Sequence, residues 1–88
     1  MLTPGYTNRF EKDLTLVKNR CKDTEKLKKV IDLIVAEQPL PPRLRDHALV
    51  GRYSGRRECH LEPDWLLVYK LEPGTVIFER TGTHSDLF

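Results

Sequence analysis

The fold is decided by residues 56–81, RRECHLEPDWLLVYKLEPGTVIFERT. Two short turns, each built around a proline, divide this stretch into three segments. Trp65 to Leu71 is almost continuously apolar, which is typical of a central strand covered on both faces. Arg56 to Leu61 and Thr75 to Thr81 alternate in polarity, as strands do. Turns this short predict that the three strands form an antiparallel meander.

Alternation along these strands also assigns side chains to the two faces of the sheet. In the last strand it places Arg80 on the same side as Phe78. In the first strand it places Arg56 and His60 on the face opposite Arg57.

The N-terminal half has the period of helices. A cap at Thr7 or Asn8 precedes a helix that runs to about Arg20, and Asp23 or Thr24 caps a second helix that Pro39 ends. Because the link between them is short, the two helices should form an antiparallel hairpin. Its predicted buried contacts are Leu14, Val17, Leu27, Ile31 and Ile34.

The predicted architecture is α+β, with the helical hairpin packed on one face of a small, mainly antiparallel sheet. Leu2 to Tyr6 can add an edge strand, where Pro4 is tolerated. The element order is then β-α-α-β-β-β. With 88 residues, we expect residues 1–88 to form a single domain with a thin core and no deep cleft.

Composition narrows the setting in which the chain works. No segment approaches the roughly 20 apolar residues that cross a bilayer, and the first residues lack the pattern of a signal peptide. Cys21 and Cys59 form no CxxC pair. These features predict a cytoplasmic protein in a reducing compartment, with no membrane partner.

Charge is uneven along the chain although the net charge is only +2. Residues 43–60 hold five arginines against two acidic residues. Such a block fits a phosphate-rich partner, and we take Arg56 and Arg57 as candidate RNA-binding residues. The alternative is an ordinary solvated charged face.

Titratable residues converge in the C-terminal half. His60 precedes the turn that contains Asp64, and the last strand should return Arg80 and His84 to that same end of the sheet. His47 enters the sheet just before the meander. The alternative is that the three histidines are isolated surface or capping residues and form no catalytic cluster.

Such a set suits cleavage of RNA without a metal. Histidine can act as base towards a ribose 2′-OH or as acid towards the departing 5′-oxygen, and arginine can stabilise the charged phosphorane. Asp64 is then expected to orient His47 or His60, whichever is nearer, and Phe88 can stack on a base. Zinc is an alternative, but the sequence has no His-x-x-x-His, CxxC or Cys-rich tract, so we predict no metal and no cofactor.

Three separated motifs, DHALVG (46–51), RECHLEPDWLLVYK (57–70) and ERTGTHS (79–85), followed by a closing Leu87-Phe88, resemble the YafQ branch of the RelE/ParE toxin superfamily. The resemblance is strongest from Asp46 to Phe88 and implies a RelE-like microbial RNase fold. It implies a ribosome-dependent endoribonuclease that cleaves mRNA in the decoding site, paired with a cognate antitoxin of the RelB/DinJ type. The functional positions of that family fall here on His47, His60, Asp64, Arg80, His84 and Phe88. Trp65 also matches and is interpreted as mainly structural.

Two rival functions remain at this point. ParE-like members of the superfamily inhibit DNA gyrase and are not nucleases, so they need no proton-transfer residues. A purely structural or adaptor domain would leave the residues from Arg80 to His84 unexplained. The complete set of histidines, Asp64 and Arg80 favours the RNase.

Overall fold

The computed structural model describes residues 1–87. Within them the strands are β1 (Thr3–Tyr6), β2 (His47–Ala48), β3 (Arg57–Glu62), β4 (Trp65–Glu72) and β5 (Thr75–Gly82). The helices are α1 (Asn8–Asn19), α2 (Thr24–Val35) and α3 (His84–Leu87). The strands form a sheet in the order β1-β5-β4-β3-β2, in which only β1 is paired in parallel. The predicted α+β architecture is confirmed.

One strand and one α-helix of residues 1–87 were not predicted, and both matter for the site. β2 has only two residues and α3 only four, so neither is long enough to show a period in the sequence. β2 adds a strand beside β3, and α3 follows β5 directly.

The caps of the helical hairpin explain where its helices begin and end. Thr7 caps α1, with its Oγ1 accepting a hydrogen bond from the backbone N–H of Phe10 at 3.0 Å. α2 ends at Val35, earlier than the predicted stop at Pro39. Glu37 adopts a left-handed φ of 59°, and the backbone N–H groups of Glu37 and Gln38 bond back to the last turn of α2. This is the Schellman arrangement, which ends a helix before any proline is reached.

The hairpin packs on the sheet through a face that differs slightly from the predicted one. Val17, Leu27 and Ile34 are buried as expected, but Leu14 and Ile31 are only partly buried at the margin of the core. The other buried apolar residues of the hairpin are Phe10 and Val30. They pack against Trp65, Leu67, Tyr69, Val76 and Phe78 of the sheet.

Leu27→Ala should therefore destabilise the protein by about 2–5 kcal/mol, the usual cost of a large-to-small change in a core. Leu27 is 2% exposed, whereas Ile31 lies at the core margin. Ile31→Ala is the matched comparison and should cost less. Urea unfolding of both variants measures the difference, and equal losses would contradict this assignment of the buried face.

A β-bulge corrects the predicted orientation of Arg80. β4 pairs Val68 with Arg80 but the next residue, Tyr69, with Phe78, so Glu79 is an extra residue in β5. The extra residue reverses the alternation, and Arg80 shares a face with Val68 and not with Phe78. We call the face turned away from the helical hairpin the open face. Leu66, Val68 and Leu87 form a second, small apolar cluster there.

None of the helices within residues 1–87 has the length and apolar character needed to cross a membrane.

Candidate active site

His47 reaches the site because β2 pairs it directly with Glu58 of β3. The preceding residue, Asp46, anchors this short strand on the other face of the sheet. Its carboxylate accepts hydrogen bonds from Arg57 at 3.2 Å and from the hydroxyl of Tyr69 at 2.6 Å. On the open face, Nδ1 of His47 lies 2.6 Å from the backbone carbonyl of Arg45.

Glu58 is a functional candidate that the sequence analysis missed. Its carboxylate lies 3.1 Å from Nε2 of His47 and 3.5 Å from Nε2 of His60. The Glu58 side chain is only 9% exposed, so an acidic group is largely buried between two imidazoles. The available signal was its position two residues before His60, which puts both side chains on one face of the strand.

Asp64 contacts His84 and not the histidine it was expected to orient. Its Oδ1 lies 2.6 Å from Nδ1 of His84 and accepts the backbone N–H of that residue at 2.9 Å. These contacts lower the pKa of Asp64, the backbone hydrogen bond contributing most. The prediction that Asp64 pairs with His47 or His60 is wrong, because α3 brings His84 onto the β3–β4 turn.

The three imidazoles form a row across the open face. The ring centroid of His60 lies 6.0 Å from that of His47 and 5.9 Å from that of His84. We call these rings, with Glu58 and Asp64, the histidine cluster. His60 is the most enclosed of the three rings, whereas about half of each outer side chain is exposed. The predicted convergence of His47, His60 and His84 is confirmed.

α3 is fixed by the residues around it, and His84 is therefore held in place. Leu87 packs on Leu66 and Val68 of β4. Asp86 accepts hydrogen bonds from Arg20, the residue after α1, and from the backbone N–H of Thr83, which hold the pKa of its carboxyl well below the ordinary value. At Gly82 a Cβ would lie 2.9 Å from the Asp86 carboxylate, so a larger residue would disturb this turn.

Arg80 does not join the histidine cluster as predicted. Its guanidinium forms a two-bond ion pair with Asp13 of α1, and its Nη2 also donates to the backbone carbonyl of Asp86 at 3.3 Å. The pair with Asp13 raises the pKa of Arg80, which keeps it charged. Val68 and α3 lie between Arg80 and the imidazoles. About a fifth of the Arg80 side chain remains exposed.

This exposed part lines a cavity of about 510 Å³ beside α3, which we call the arginine groove. Its charged lining residues are Arg9, Arg52, Arg56, Arg80, Glu79 and Asp86. Four arginines against two acidic residues leave it positive overall. His60 and His84 line a separate cavity of about 580 Å³. Since Ser85, Asp86 and Leu87 of α3 line the arginine groove and His84 lines the other cavity, α3 lies between the two.

The three candidate RNA-binding residues lie in different parts of the protein. Arg56 lines the arginine groove and forms an ion pair with Glu79. Arg57 lies on the opposite face and is bound to Asp46, so it shares no surface with Arg56, and its role in RNA binding stays a prediction. Phe88 lies outside the described residues.

Part of the histidine cluster also has the composition of a metal site. The candidate ligand atoms of His47, Glu58 and His60 all lie within 4.8 Å of one another. Two imidazole nitrogens and a carboxylate oxygen are a donor set that transition metals bind, so these residues fit such an ion. Sequence spacing did not reveal the set because His47 comes from a different strand.

Comparison with known proteins identifies the family. A family model described as the bacterial toxin of type II toxin-antitoxin systems, YafQ, matches residues 2–88. The chain is 45% identical over 84 residues to the mRNA interferase toxin YafQ of Escherichia coli K12, covering 94% of this chain and 91% of that protein. It is 33% identical over 92 residues to a putative toxin YafQ of Haemophilus influenzae, covering 97% of this chain and 90% of that one.

Similarity to solved structures supports the same family. YafQ in the E. coli DinJ–YafQ toxin-antitoxin complex superposes with a TM-score of 0.92 at 43% identity, covering 99% of this chain and 97% of the other. A metal-bound toxin from Helicobacter pylori superposes with a TM-score of 0.94 at 42% identity over the whole of both chains.

The helical hairpin, the mixed sheet and the histidine cluster, taken with these relatives, define a toxin of a type II toxin-antitoxin system that acts as an endoribonuclease. Within that class, the chain belongs to the YafQ family. The rival hypothesis of a gyrase inhibitor has no support among these relatives.

Proposed function

We propose that this toxin cuts mRNA in the ribosomal decoding site by metal-independent attack of a ribose 2′-OH on the adjacent phosphate. The observation that carries the proposal is the row of three imidazoles, with Glu58 between two of them and Asp64 against the third. Transfer of two protons at one phosphate needs a base and an acid close together, and histidine suits both tasks near neutral pH. The E. coli relative named as an mRNA interferase supports the choice of substrate.

The general base is His47 or His60, the two imidazoles beside Glu58. His60 fits the role better, because Nδ1 of His47 already contacts the carbonyl of Arg45 and its Nε2 contacts Glu58, which leaves His47 no ring nitrogen for the proton of the 2′-OH. Both Nε2 atoms lie within 3.5 Å of the Glu58 carboxylate. A carboxylate at this position stabilises the imidazolium that forms when the base takes the proton from the 2′-OH. Glu58 therefore takes the supporting role that the sequence analysis gave to Asp64.

The general acid is His84. Asp64 binds its Nδ1, which fixes the orientation of the ring and leaves Nε2 to give a proton to the departing 5′-oxygen. The pKa of Asp64 lies below its ordinary value, chiefly because its carboxylate accepts the backbone N–H of His84, so this carboxylate is ionised at neutral pH. His84 is also well exposed, and a strand crossing α3 can reach it.

Arg80 contacts the scissile phosphate from the arginine groove, on the side of α3 opposite the imidazoles. There it stabilises the extra negative charge that the phosphate carries in the transition state. Its exposed part faces the arginine groove, where Arg9, Arg52 and Arg56 add positive charge for neighbouring phosphates. Both cavities are open to solvent, so the protein alone does little to fix an RNA strand. A messenger held in the decoding site is already positioned for attack, which accounts for the proposed dependence of cleavage on the ribosome.

The proposed partner in the resting state is a cognate antitoxin of the RelB/DinJ type. The E. coli YafQ structure solved as a complex with DinJ supports this choice. The arginine groove offers an acidic or helical segment of such a partner the charges that RNA would otherwise contact. Because ribosomes and messenger are the targets, the site of action is the cytoplasm.

A 2′-deoxy substitution at the nucleotide before the cut tests the chemistry. Cleavage of a defined messenger on programmed ribosomes should be abolished by this substitution and preserved when the next nucleotide is substituted instead. The unmodified messenger should give an upstream fragment ending in a 2′,3′-cyclic phosphate or its 3′-phosphate hydrolysis product. Cleavage that survives the substitution would contradict the proposal and point to an activated water, for which the metal-type donor set would be the obvious source.

A further inference from the structure

Asp13 is a buried charge that belongs neither to the histidine cluster nor to the lining of the arginine groove. It lies on α1 and is 9% exposed. Both of its oxygens are used by β5. Oδ2 accepts from Nε of Arg80 at 2.7 Å and from the backbone N–H of Thr81 at 3.2 Å. Oδ1 accepts from Nη2 of Arg80 at 3.3 Å.

The backbone explains why a side chain is needed at this point. β1 pairs with β5 only as far as Phe78, and α1 contacts β5 beyond that point. The backbone N–H of Thr81 therefore has no strand partner on that side, and Asp13 accepts its hydrogen bond. The same carboxylate thus ties together the backbone just after the bulge and the guanidinium of Arg80.

Stability is a weak explanation for such a pair. Burying two charges carries a desolvation cost that their attraction often only balances, and apolar residues of similar size often serve as well. An arginine left without Asp13 has several rotatable bonds and would sample many positions in the groove. With Asp13 on one side and the Asp86 carbonyl on the other, the Arg80 side chain is held between α1 and α3.

We propose that Asp13 is a positioning residue, which holds the guanidinium of Arg80 in the orientation that meets the reacting phosphate. This inference rests on the proposed function, because it assumes that Arg80 acts on that phosphate. Asp13 itself touches no substrate. Its effect should appear in the chemical step and not in ribosome binding, since the charge of Arg80 remains when Asp13 is neutralised.

Asp13→Asn keeps the shape of the side chain but loses its charge and one acceptor oxygen. We expect single-turnover cleavage at saturating ribosomes to fall by roughly 10–100-fold, the scale of loss that small misplacement of a catalytic group produces. The toxin concentration for half-maximal ribosome binding should stay within about 2-fold of wild type, because the electrostatic attraction to RNA is kept. In an Arg80→Ala background the same substitution should cause no further loss of rate.

Asp32→Asn is the matched control, because Asp32 forms an exposed ion pair with Lys28 on α2, away from β5. It should leave the cleavage rate unchanged. Asp13→Glu is the second variant, since it keeps the charge but moves the carboxylate, and it should also be slow. Circular dichroism and thermal unfolding establish whether each variant is folded at the assay temperature.

The outcomes separate the inference from the proposed function. If Arg80→Ala is slow while folded Asp13→Asn and Asp13→Glu cleave at the wild-type rate, the positioning role is overturned and the role of Arg80 stands. The positioning role is also overturned if Asp13→Asn slows an Arg80→Ala protein further, or if neither Asp13 variant folds, since Asp13 would then serve stability. If Arg80→Ala itself cleaves normally, the proposed role of Arg80 fails, and the positioning role fails with it.

Discussion

His84→Ala should lower the rate of single-turnover cleavage on programmed ribosomes by roughly 10²–10⁴-fold, the usual loss when a general acid or base is removed. The loss corresponds to about 3–5 kcal/mol of activation barrier. The large effect follows from the geometry, because the described site offers no second imidazole held by Asp64 to replace the missing acid.

Ribosome binding is the internal control for this variant. His84 is exposed and lies outside the arginine groove, so its loss should leave the affinity for ribosomes nearly unchanged. A variant that binds ribosomes poorly and cleaves normally once bound would contradict a catalytic role for His84.

Arg80→Ala should reduce both the chemical step and the binding of RNA. In the proposed mechanism the guanidinium contacts the phosphate before and during reaction, so its removal should cost affinity as well as transition-state stabilisation. We expect kcat to fall by about 10²–10³-fold, as when one donor to a developing oxyanion is removed. Removal of Arg80 also leaves the Asp13 carboxylate buried without its ion-pair partner, so a loss of stability should accompany the kinetic effect.

Lys28→Ala is the control for the loss of one positive charge. Lys28 forms an exposed ion pair on α2, and its side chain is 70% exposed. Both substitutions lower the net charge by the same amount, but only the loss of Arg80 should slow cleavage measured on the folded fraction of toxin. If Lys28→Ala slows cleavage as much as Arg80→Ala does, Arg80 contributes through general charge alone. If both variants cleave at the wild-type rate, the proposed role of Arg80 is contradicted.

The meander and the helical hairpin could be predicted because their signals are local. The apolar run from Trp65, the prolines of the turns and the Thr7 cap each act within a few residues. The bulge at Glu79 could not be predicted, because it depends on how β5 is paired with β4. That one extra residue decides which face Arg80 occupies.

The sequence predicted that the three histidines lie together, but it did not predict which acidic residue contacts which histidine or arginine. The three histidines converge as the strand order suggested. Glu58 and Asp13 were not predicted as candidate residues, because the contacts that suggest a function for them are with residues on other elements, His47 on β2 and Arg80 on β5. The partner of Asp64 was misjudged because α3 has only four residues and leaves no periodic signal in the sequence.

The most direct test of the central claim is cleavage of a messenger that carries sulfur in place of the 5′-leaving oxygen at the cut. A thiolate departs without protonation, so this substrate no longer needs a general acid. We expect this substrate to restore a near-normal cleavage rate to His84→Ala and to leave His47→Ala or His60→Ala slow, whichever variant lacks the base. If it restores His47→Ala or His60→Ala but not His84→Ala, the assignment of acid and base is contradicted.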